Sequence, residues 1–317
     1  MSDASAKAYP DGLKVPDNAT TDAKRKARNR LKAAAKKPTK ARTRAKQLSQ
    51  ATLVDLARSG LNANDAAKMG IEDMTAAQCE VEFGIPRAAY RLPYADFDGV
   101  FSDYGRARFT DFIPARVDHE GNKITHDQIK YIQKARSSVH LYLPTLTKWR
   151  AVIDDTTIPV YSTEGEKKAA AACKAGVITV GLGGVDAFAS SKRDIDLLQE
   201  LVVLAKGRRM RIAYDSDIIS KDEVRLARKK LALQYFLAGG YPEFIDLPPG
   251  EDDAKVGLDD YLMAHSKKDF AALPRQEVTP QLLVRWLHNK KKREKLGFDP
   301  ETTARHVRAD SRSKKCG

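Results

Sequence analysis

Residues 160–185, VYSTEGEKKAAAACKAGVITVGLGGV, decide the fold. The pattern predicts a buried strand, a turn, a helix, a second strand and a glycine-rich turn. The alternation continues downstream. Strands are predicted at 158–163, 177–182, 210–214 and 243–247, and helices at 166–175, 192–206 and 221–238. Short apolar strands that alternate with longer helices are typical of a parallel sheet covered by helices on both faces.

Charge is concentrated where the first of these strands ends. Glu164-Gly165-Glu166-Lys167-Lys168 follows the apolar strand, although a structural turn requires none of this charge. Lysines at the start of a helix oppose the helix dipole, so stability does not explain them. Phosphate binding at a helix N-terminus does. We therefore predict that Lys167 and Lys168 bind phosphate.

A second acidic group follows the third strand, where RMRIAYDSD ends in Asp215 and Asp217. Right-handed crossovers bring the carboxyl ends of parallel strands to one edge, where ligands bind in open α/β sheets. An extended segment would point both aspartates to the same side, toward Glu164. Three converging carboxylates suit Mg²⁺ or Mn²⁺, and Glu164 could also serve as a general base. Each motif alone is weak, because acids also cap helices.

Two familiar nucleotide-binding motifs are absent from the sequence. The turn GLGGV at 181–185 does not continue as GxGxxG, and no acid closes the preceding strand, which argues against a dinucleotide site. No GxxxxGK[ST] segment occurs, which argues against a P-loop. Gly183 and Gly184 instead predict a permissive backbone turn beside the phosphate-binding edge.

The positive charge lies at the two ends of the chain. The 317 residues have a formal net charge of +14, yet residues 24–47 alone carry twelve Lys and Arg and no acid. Residues 48–288 sum to −2 and residues 289–317 to +6. Dense basic segments bind nucleic acid by releasing counterions, and a solvated tail without a partner is the alternative. We expect disordered basic ends that contact DNA, through Lys24, Arg25, Lys26, Arg28 and Arg30 in the first.

Composition excludes several other classes of protein. Cys79, Cys173 and Cys316 lie far apart without a CxxC pair, which argues against a zinc ribbon and a disulfide framework. Cys173 is predicted to lie in the core. No apolar run approaches the roughly 20 residues that cross a bilayer, and the N-terminus lacks a signal-peptide core. We expect a cytoplasmic protein without a membrane partner.

The residues before the alternating region predict a smaller unit. Two short helices are expected around a break at Ser59-Gly60, with Asn62 or Asn64 as N-cap and Gly70 as the end. A hairpin is expected at Asp98-Gly99, and a further turn at 118–123.

These motifs together resemble the TOPRIM pattern, in which Glu-Gly follows one strand and Asp-x-Asp a later one. Bacterial-type primases, type IA and II topoisomerases and some nucleases share it. The closer resemblance is to the primase-associated TOPRIM-like domain of phage, plasmid and integrative-element replication proteins. It rests on TEGEKKAAAA (163–172), GLGGV, YDSD (214–217) and KVGLDDYL (255–262), the last with Val256 inserted. Upstream segments at 56–71, 92–109 and 130–144 also resemble primases, so the resemblance covers about residues 48–275.

The resemblance implies an α/β fold with four parts. These are a disordered basic tail (1–47), a mixed α+β subdomain (48–150), a TOPRIM-like Rossmannoid parallel sheet flanked by helices (151–275), and a C-terminal helix with a basic tail (276–317).

The resemblance also implies roles for individual residues. Glu164, Asp215 and Asp217 would be the catalytic, metal-binding acids. Phosphate or nucleotide would be bound by Lys167, Lys168, Gly183 and Gly184. Asp259 and Asp260 match a late acid pair, although Asp259 could equally be a helix N-cap. A template or nucleotide path would be lined by Arg106, Arg108, Lys130, Tyr131 and Arg136, for which a solvated strand face is the alternative.

The implied function is metal-dependent primer synthesis from nucleoside triphosphates on single-stranded DNA during phage or plasmid replication. Two alternatives remain: a non-catalytic DNA-binding accessory protein that recruits a helicase, and a TOPRIM-type nuclease. A topoisomerase is disfavoured because no tyrosine-bearing cleavage domain is evident. Two features depart from the family. The basic segment replaces the zinc-binding module of bacterial primases, and no helicase domain occurs in the 317 residues. We therefore expect either a separate helicase partner or a reduced relative that has lost its activity.

Overall fold

A computed structural model describes residues 47–111, 130–190 and 195–288. The first part holds three short helices and four strands. They are α1 (Gln50–Ala57), α2 (Ala63–Lys68), β1 (Glu72–Met74), α3 (Ala76–Phe83), β2 (Ala89–Ala95), β3 (Phe101–Arg108) and β4 (Tyr131–Gln133).

The strands of this first part form an antiparallel sheet in the order β1-β2-β3-β4. The expected hairpin joins β2 to β3, and Gly99 in its turn has a φ of 76°, which favours glycine. The break between α1 and α2 also lies where predicted. The side chain of Asn62 caps α2 by accepting from the backbone N–H groups of Asn64 and Asp65.

The second part contains five more strands and most of the longer helices. In chain order they are α4 (Trp149–Asp154), β5 (Val160–Glu164), α5 (Glu166–Lys174), β6 (Thr179–Leu182), α6 (Gln199–Ala205), β7 (Arg209–Ala213), α7 (Asp222–Leu237), β8 (Tyr241–Ile245), α8 (Leu258–Ala264), α9 (Lys267–Ala272), β9 (Arg275–Glu277) and α10 (Pro280–His288).

Their sheet has the strand order β6-β5-β7-β8-β9. The first four strands are parallel and β9 is antiparallel to β8. Each parallel strand is reached through a helix, so the predicted parallel sheet flanked by helices is confirmed. Its central strands β5 and β7 are largely buried, with Val160, Met210 and Ile212 at 0% exposure.

One predicted helix begins later than expected. The apolar periodicity suggested a helix over 192–206, but α6 begins only at Gln199. Ser190 and Ile195 pair as an antiparallel bridge, and the N–H of Leu198 donates to the carbonyl of Phe188. These contacts hold residues 195–198 outside the helix.

The segment that follows β4 is attached to β6 of the parallel sheet at Tyr142 and Gly181, whose backbones exchange two hydrogen bonds of 3.0 and 2.9 Å. A Cβ on Gly181 would lie 3.1 Å from the carbonyl oxygen of Gly165 and 3.2 Å from the Cβ of Ala169, so glycine permits this close approach. Within the described ranges, no helix is both long and apolar enough to cross a membrane.

Candidate active site

Two acids lie side by side at the carboxyl edge of the parallel sheet. Glu164 is the last residue of β5, and Asp215 follows β7 by two residues. β5 and β7 are neighbours with Ser162 opposite Ile212, so their ends coincide. The crossover through β6 and α6 therefore brings together residues that are 51 positions apart in the printed sequence.

The two carboxyl groups influence each other's ionisation. Burial raises the pKa of Glu164, and the negative charge of Asp215 raises it further. Burial also opposes ionisation of Asp215, but the ammonium of Lys168 and then that of Lys255 lower its pKa overall. Asp215 is therefore the ionised member of the pair, and Glu164 is the member that holds a proton more readily.

Lysines surround the acids that follow β7. Lys168 donates to both carboxylate oxygens of Asp215, at 2.5 and 2.6 Å. Lys255 lies 2.7 Å from Asp215 and 3.1 Å from Asp217. Lys221 lies 2.6 Å from Asp217. Lys168 therefore lies at the edge where phosphate binding was predicted, and its ammonium is hydrogen-bonded to Asp215.

Asp217 does not continue an extended segment, as the sequence had suggested. It lies in a 3₁₀ turn over Ser216–Ile219, and its carboxylate is held by Lys221 and Lys255. In the part of the chain that the structure describes, no three His, Cys, Asp or Glu residues are grouped to hold a metal ion. The local arrangement is therefore a Glu164–Asp215 pair with Asp217 beside it.

The oxygen ligands of this pair suit a divalent ion whose coordination is completed by oxygens of the substrate. Magnesium prefers oxygen ligands and commonly uses one or two carboxylates together with substrate phosphates. Glu164 and Asp215 supply two such carboxylates, and their mutual repulsion is the kind that a cation relieves.

Lys167 lies away from this edge, in a buried ionic cluster. Its ammonium donates to the backbone carbonyl of Asp55 at 2.6 Å and to the Asp55 carboxylate at 3.0 Å. Arg108 donates to both oxygens of the same carboxylate, at 2.6 and 2.8 Å. Burial and then the positive charge of Arg108 lower the pKa of Lys167 to about 8. The structure thus places Lys167 and Arg108 against α1, not along an open path.

A second buried cluster involves Glu166 and Arg106. Glu166 accepts from the hydroxyl of Tyr94 at 2.6 Å and from Arg106 at 2.7 Å. Arg106 also donates to the carbonyl of Gly183 at 3.1 Å. This cluster connects β2 and β3 to the first residue of α5 and to the turn after β6. Gly184 has open space where a Cβ would stand.

The remaining predicted residues lie apart from the acid pair. Tyr131 lies under the guanidinium groups of Arg106 and Arg108, at 5.0 and 4.7 Å from its ring centre. Lys130 and Arg136 are exposed, and Arg136 has a φ of 63°. The basic residues Lys24, Arg25, Lys26, Arg28 and Arg30, and the turn at 118–123, lie outside the described residues.

The late acids have distinct environments. Asp260 accepts from the N–H of Gly257 at 2.9 Å, so it closes the first turn of α8. Asp259 does not cap the helix, contrary to the alternative drawn from sequence. It is buried and accepts from the hydroxyl of Ser59 at 2.5 Å, and its Oδ1 atom has no hydrogen-bond partner among the described residues.

Several residues of these clusters were not singled out from sequence. Asp55, Tyr94 and Glu166 complete the buried clusters, and Lys255 bridges two acids. Lys255 stood in the quoted KVGLDDYL segment, which was the available signal. Asp55 and Tyr94 carried none, because Asp55 lies 112 positions from Lys167 and Tyr94 lies 72 positions from Glu166.

Comparisons with known proteins give the following matches. A family model described as "Domain of unknown function (DUF3854)" matches residues 148–269, less than half of the chain. No curated protein matches the chain significantly.

The structural matches include catalytic domains of bacterial primases. The Aquifex aeolicus primase (zinc-binding and RNA polymerase domains) is 15% identical, with 83% of this chain and 67% of that chain covered and a TM-score of 0.49. The DnaG primase catalytic domain bound to ssDNA is 17% identical, with 78% of this chain and 82% of that chain covered and a TM-score of 0.48. The RNA polymerase domain of Mycobacterium tuberculosis primase DnaG in complex with double-stranded DNA is 13% identical. The match covers 82% of this chain and 89% of that chain, with a TM-score of 0.46. These values are too low to assign an activity.

Proposed function

We propose that this protein is a TOPRIM-like, metal-dependent nucleotidyl transferase that synthesises primers on single-stranded DNA from nucleoside triphosphates. The observation that carries the proposal is the pairing of Glu164 with Asp215 at the ends of adjacent parallel strands. Lys168 and Lys255 add positive charge at the same edge. The ordered motifs from TEGEKK to KVGLDDYL support the same class of enzyme.

The acids and lysines divide the work of phosphoryl transfer. Lys168 and Lys255 bind phosphate oxygens of the incoming nucleotide, since an ammonium is a compact cation that suits phosphate. Glu164, whose pKa is raised, can accept the proton of an attacking hydroxyl. Glu164 and Asp215, with Asp217 beside them, are the residues that would hold Mg²⁺ or Mn²⁺. Such an ion, when bound, stabilises charge on the transferring phosphoryl group.

The setting of this activity is also a proposal. The basic residues at 24–47 supply sequence-independent affinity for DNA. The phage, plasmid and integrative-element motifs favour replication of a mobile element in the cytoplasm, with a separate helicase as partner. In this organisation, residues 48–150 form a primase-like subdomain and residues 151–275 form the catalytic domain.

The experiment that tests the proposal combines synthesis and degradation in one assay. Purified protein, single-stranded DNA and labelled nucleotides are incubated with Mg²⁺ or Mn²⁺, beside the Asp217→Ala variant. Template-dependent short products that the variant does not make support the transferase. Shortening of an end-labelled strand without nucleotides would instead identify a nuclease.

One observation favours a non-catalytic accessory role as the second candidate. Both oxygens of Asp215 already accept from Lys168, and Lys255 also contacts Oδ2, so the acid needs no metal ion for charge balance. Intact DNA binding without products in either metal would support this role and direct attention to a helicase partner.

A further inference from the structure

Lys255 lies between the two acids that follow β7. Its Nζ atom is 2.7 Å from Oδ2 of Asp215 and 3.1 Å from Oδ2 of Asp217, so one ammonium bridges two carboxylates. The other lysines described at this edge each pair with a single acid, Lys168 with Asp215 and Lys221 with Asp217. Lys255 thus contributes its charge at the point where the two negative groups meet.

The backbone around Lys255 is built to hold it there. The N–H of Ser216 donates to the carbonyl of Val256 at 3.0 Å, and the N–H of Val256 donates to the Ser216 hydroxyl at 2.8 Å. Ser216 stands between the two acids, and Val256 directly follows Lys255. The two hydrogen bonds therefore fix the backbone at Lys255 relative to the backbone that carries both acids.

The Lys255 side chain has room to move away from the two carboxylates. It is 50% exposed, whereas the side chain of Asp215 is fully buried. Residues 254–257 belong to no helix or strand, and among the residues that the structure describes, movement of this side chain breaks only its contacts with the two carboxylates. Removing the ammonium would leave Asp215 with Lys168 and Asp217 with Lys221.

We infer that Lys255 is a tethered cation, which occupies the position between Asp215 and Asp217 and competes with a divalent ion for their oxygens. The inference rests on the proposed function, because it concerns the same acids. Nucleotide phosphates offer Lys255 a new anionic partner, so nucleotide binding releases the acids for the ion. Ion and nucleotide therefore bind cooperatively, and each raises the affinity for the other by the same factor.

The test measures binding of Mn²⁺ to the full-length protein without nucleotide, from the electron paramagnetic resonance signal of the unbound ion. Lys255→Met is expected to bind Mn²⁺ about tenfold more tightly or better, the equivalent of one lost hydrogen bond to a charged group. Lys255→Arg keeps the charge and is expected to bind like the wild type. Lys206→Met removes the same charge before the amino end of β7, and it is expected to change affinity by less than about twofold.

The outcomes separate the two proposals. Equal affinities of Lys255→Met and the wild type, with binding abolished by Asp215→Asn, would overturn the tethered cation and leave the metal site intact. Mn²⁺ binding that persists in Asp215→Asn would remove the metal site itself, and the inference with it. Lys255→Gln makes the same charge change and replaces the Met variant if that variant does not fold.

Discussion

Lys168 on α5 donates to both oxygens of Asp215, a carboxylate that is almost completely buried behind β7. The helix that starts after one strand therefore neutralises the acid that ends the next strand in the sheet. A buried carboxylate without a partner is costly, so this contact fixes the acid in its ionised form. The same contact puts a lysine where phosphate would bind.

Loss of the Lys168 ammonium should weaken both the fold and nucleotide binding. We expect Lys168→Met to lower the free energy of unfolding by about 1.5–3 kcal/mol, as for a hydrogen bond to a charged group. Urea unfolding and nucleotide titration measure the two effects. Lys174→Met is the matched control, because Lys174 lies at the other end of α5 and pairs with Asp65. Equal effects of the two substitutions would contradict a special role for Lys168.

Glu164 should limit stability while it supports activity. Its folded-state pKa is raised by burial and by Asp215, so the stability it contributes is full below its ordinary pKa near 4.5 and is lost as pH rises through the higher folded value. We expect Glu164→Gln to be more stable than the wild type at neutral pH and inactive in primer synthesis. Thermal unfolding at pH 4 and pH 7 measures this. A variant that is less stable than the wild type at pH 7 would refute it.

Lys167 should act on stability alone. Its pKa is lowered from 10.5 to about 8, so the folded protein releases this proton before the unfolded chain does. The wild type should therefore gain stability relative to Lys167→Met as pH rises from 8 to 10.5. Below pH 7 the difference in stability between the two proteins should no longer change with pH. Nucleotide affinity should be unchanged, in contrast to Lys168→Met. A nucleotide affinity that falls equally in both variants would show that Lys167 binds phosphate.

The basic segment should set the salt dependence of DNA binding. Deletion of residues 1–47 removes the twelve Lys and Arg of 24–47. We expect weaker binding to single-stranded DNA and a shallower slope of log affinity against log salt, since each phosphate contact contributes about −0.7 to that slope. Fluorescence anisotropy at several salt concentrations measures the slope. An unaltered slope would show that the DNA contacts lie elsewhere.

Much of the fold could be predicted from sequence because the parallel sheet uses local signals. Strand-forming runs such as the one ending at Glu164 alternate with helical stretches, and glycines lie in the turns between them. The convergence of Glu164 and Asp215 followed from the rule that parallel strands end at one edge. The start of α6 could not be predicted, since the bridge between Ser190 and Ile195 depends on tertiary pairing.

The buried ionic clusters could not be predicted for the same reason. Lys167 and Lys168 are adjacent in sequence, yet they point to different partners, because successive helix residues are about 100° apart around the axis. One contacts Asp55 on α1 and the other contacts Asp215 after β7. A charged motif thus indicates the position of a candidate functional site, but it does not show which of its charged residues have a structural role.

The measurement that tests the central claim most directly is primer synthesis by the wild type beside Asp215→Asn, on single-stranded DNA with labelled nucleotides and Mg²⁺ or Mn²⁺. The substitution keeps the shape of the side chain and removes the charge that pairs with Lys168. We predict short, template-dependent products from the wild type and none from the variant, with DNA binding retained in both. Equal product from the two proteins would contradict the assignment of the Glu164–Asp215 pair as the catalytic centre.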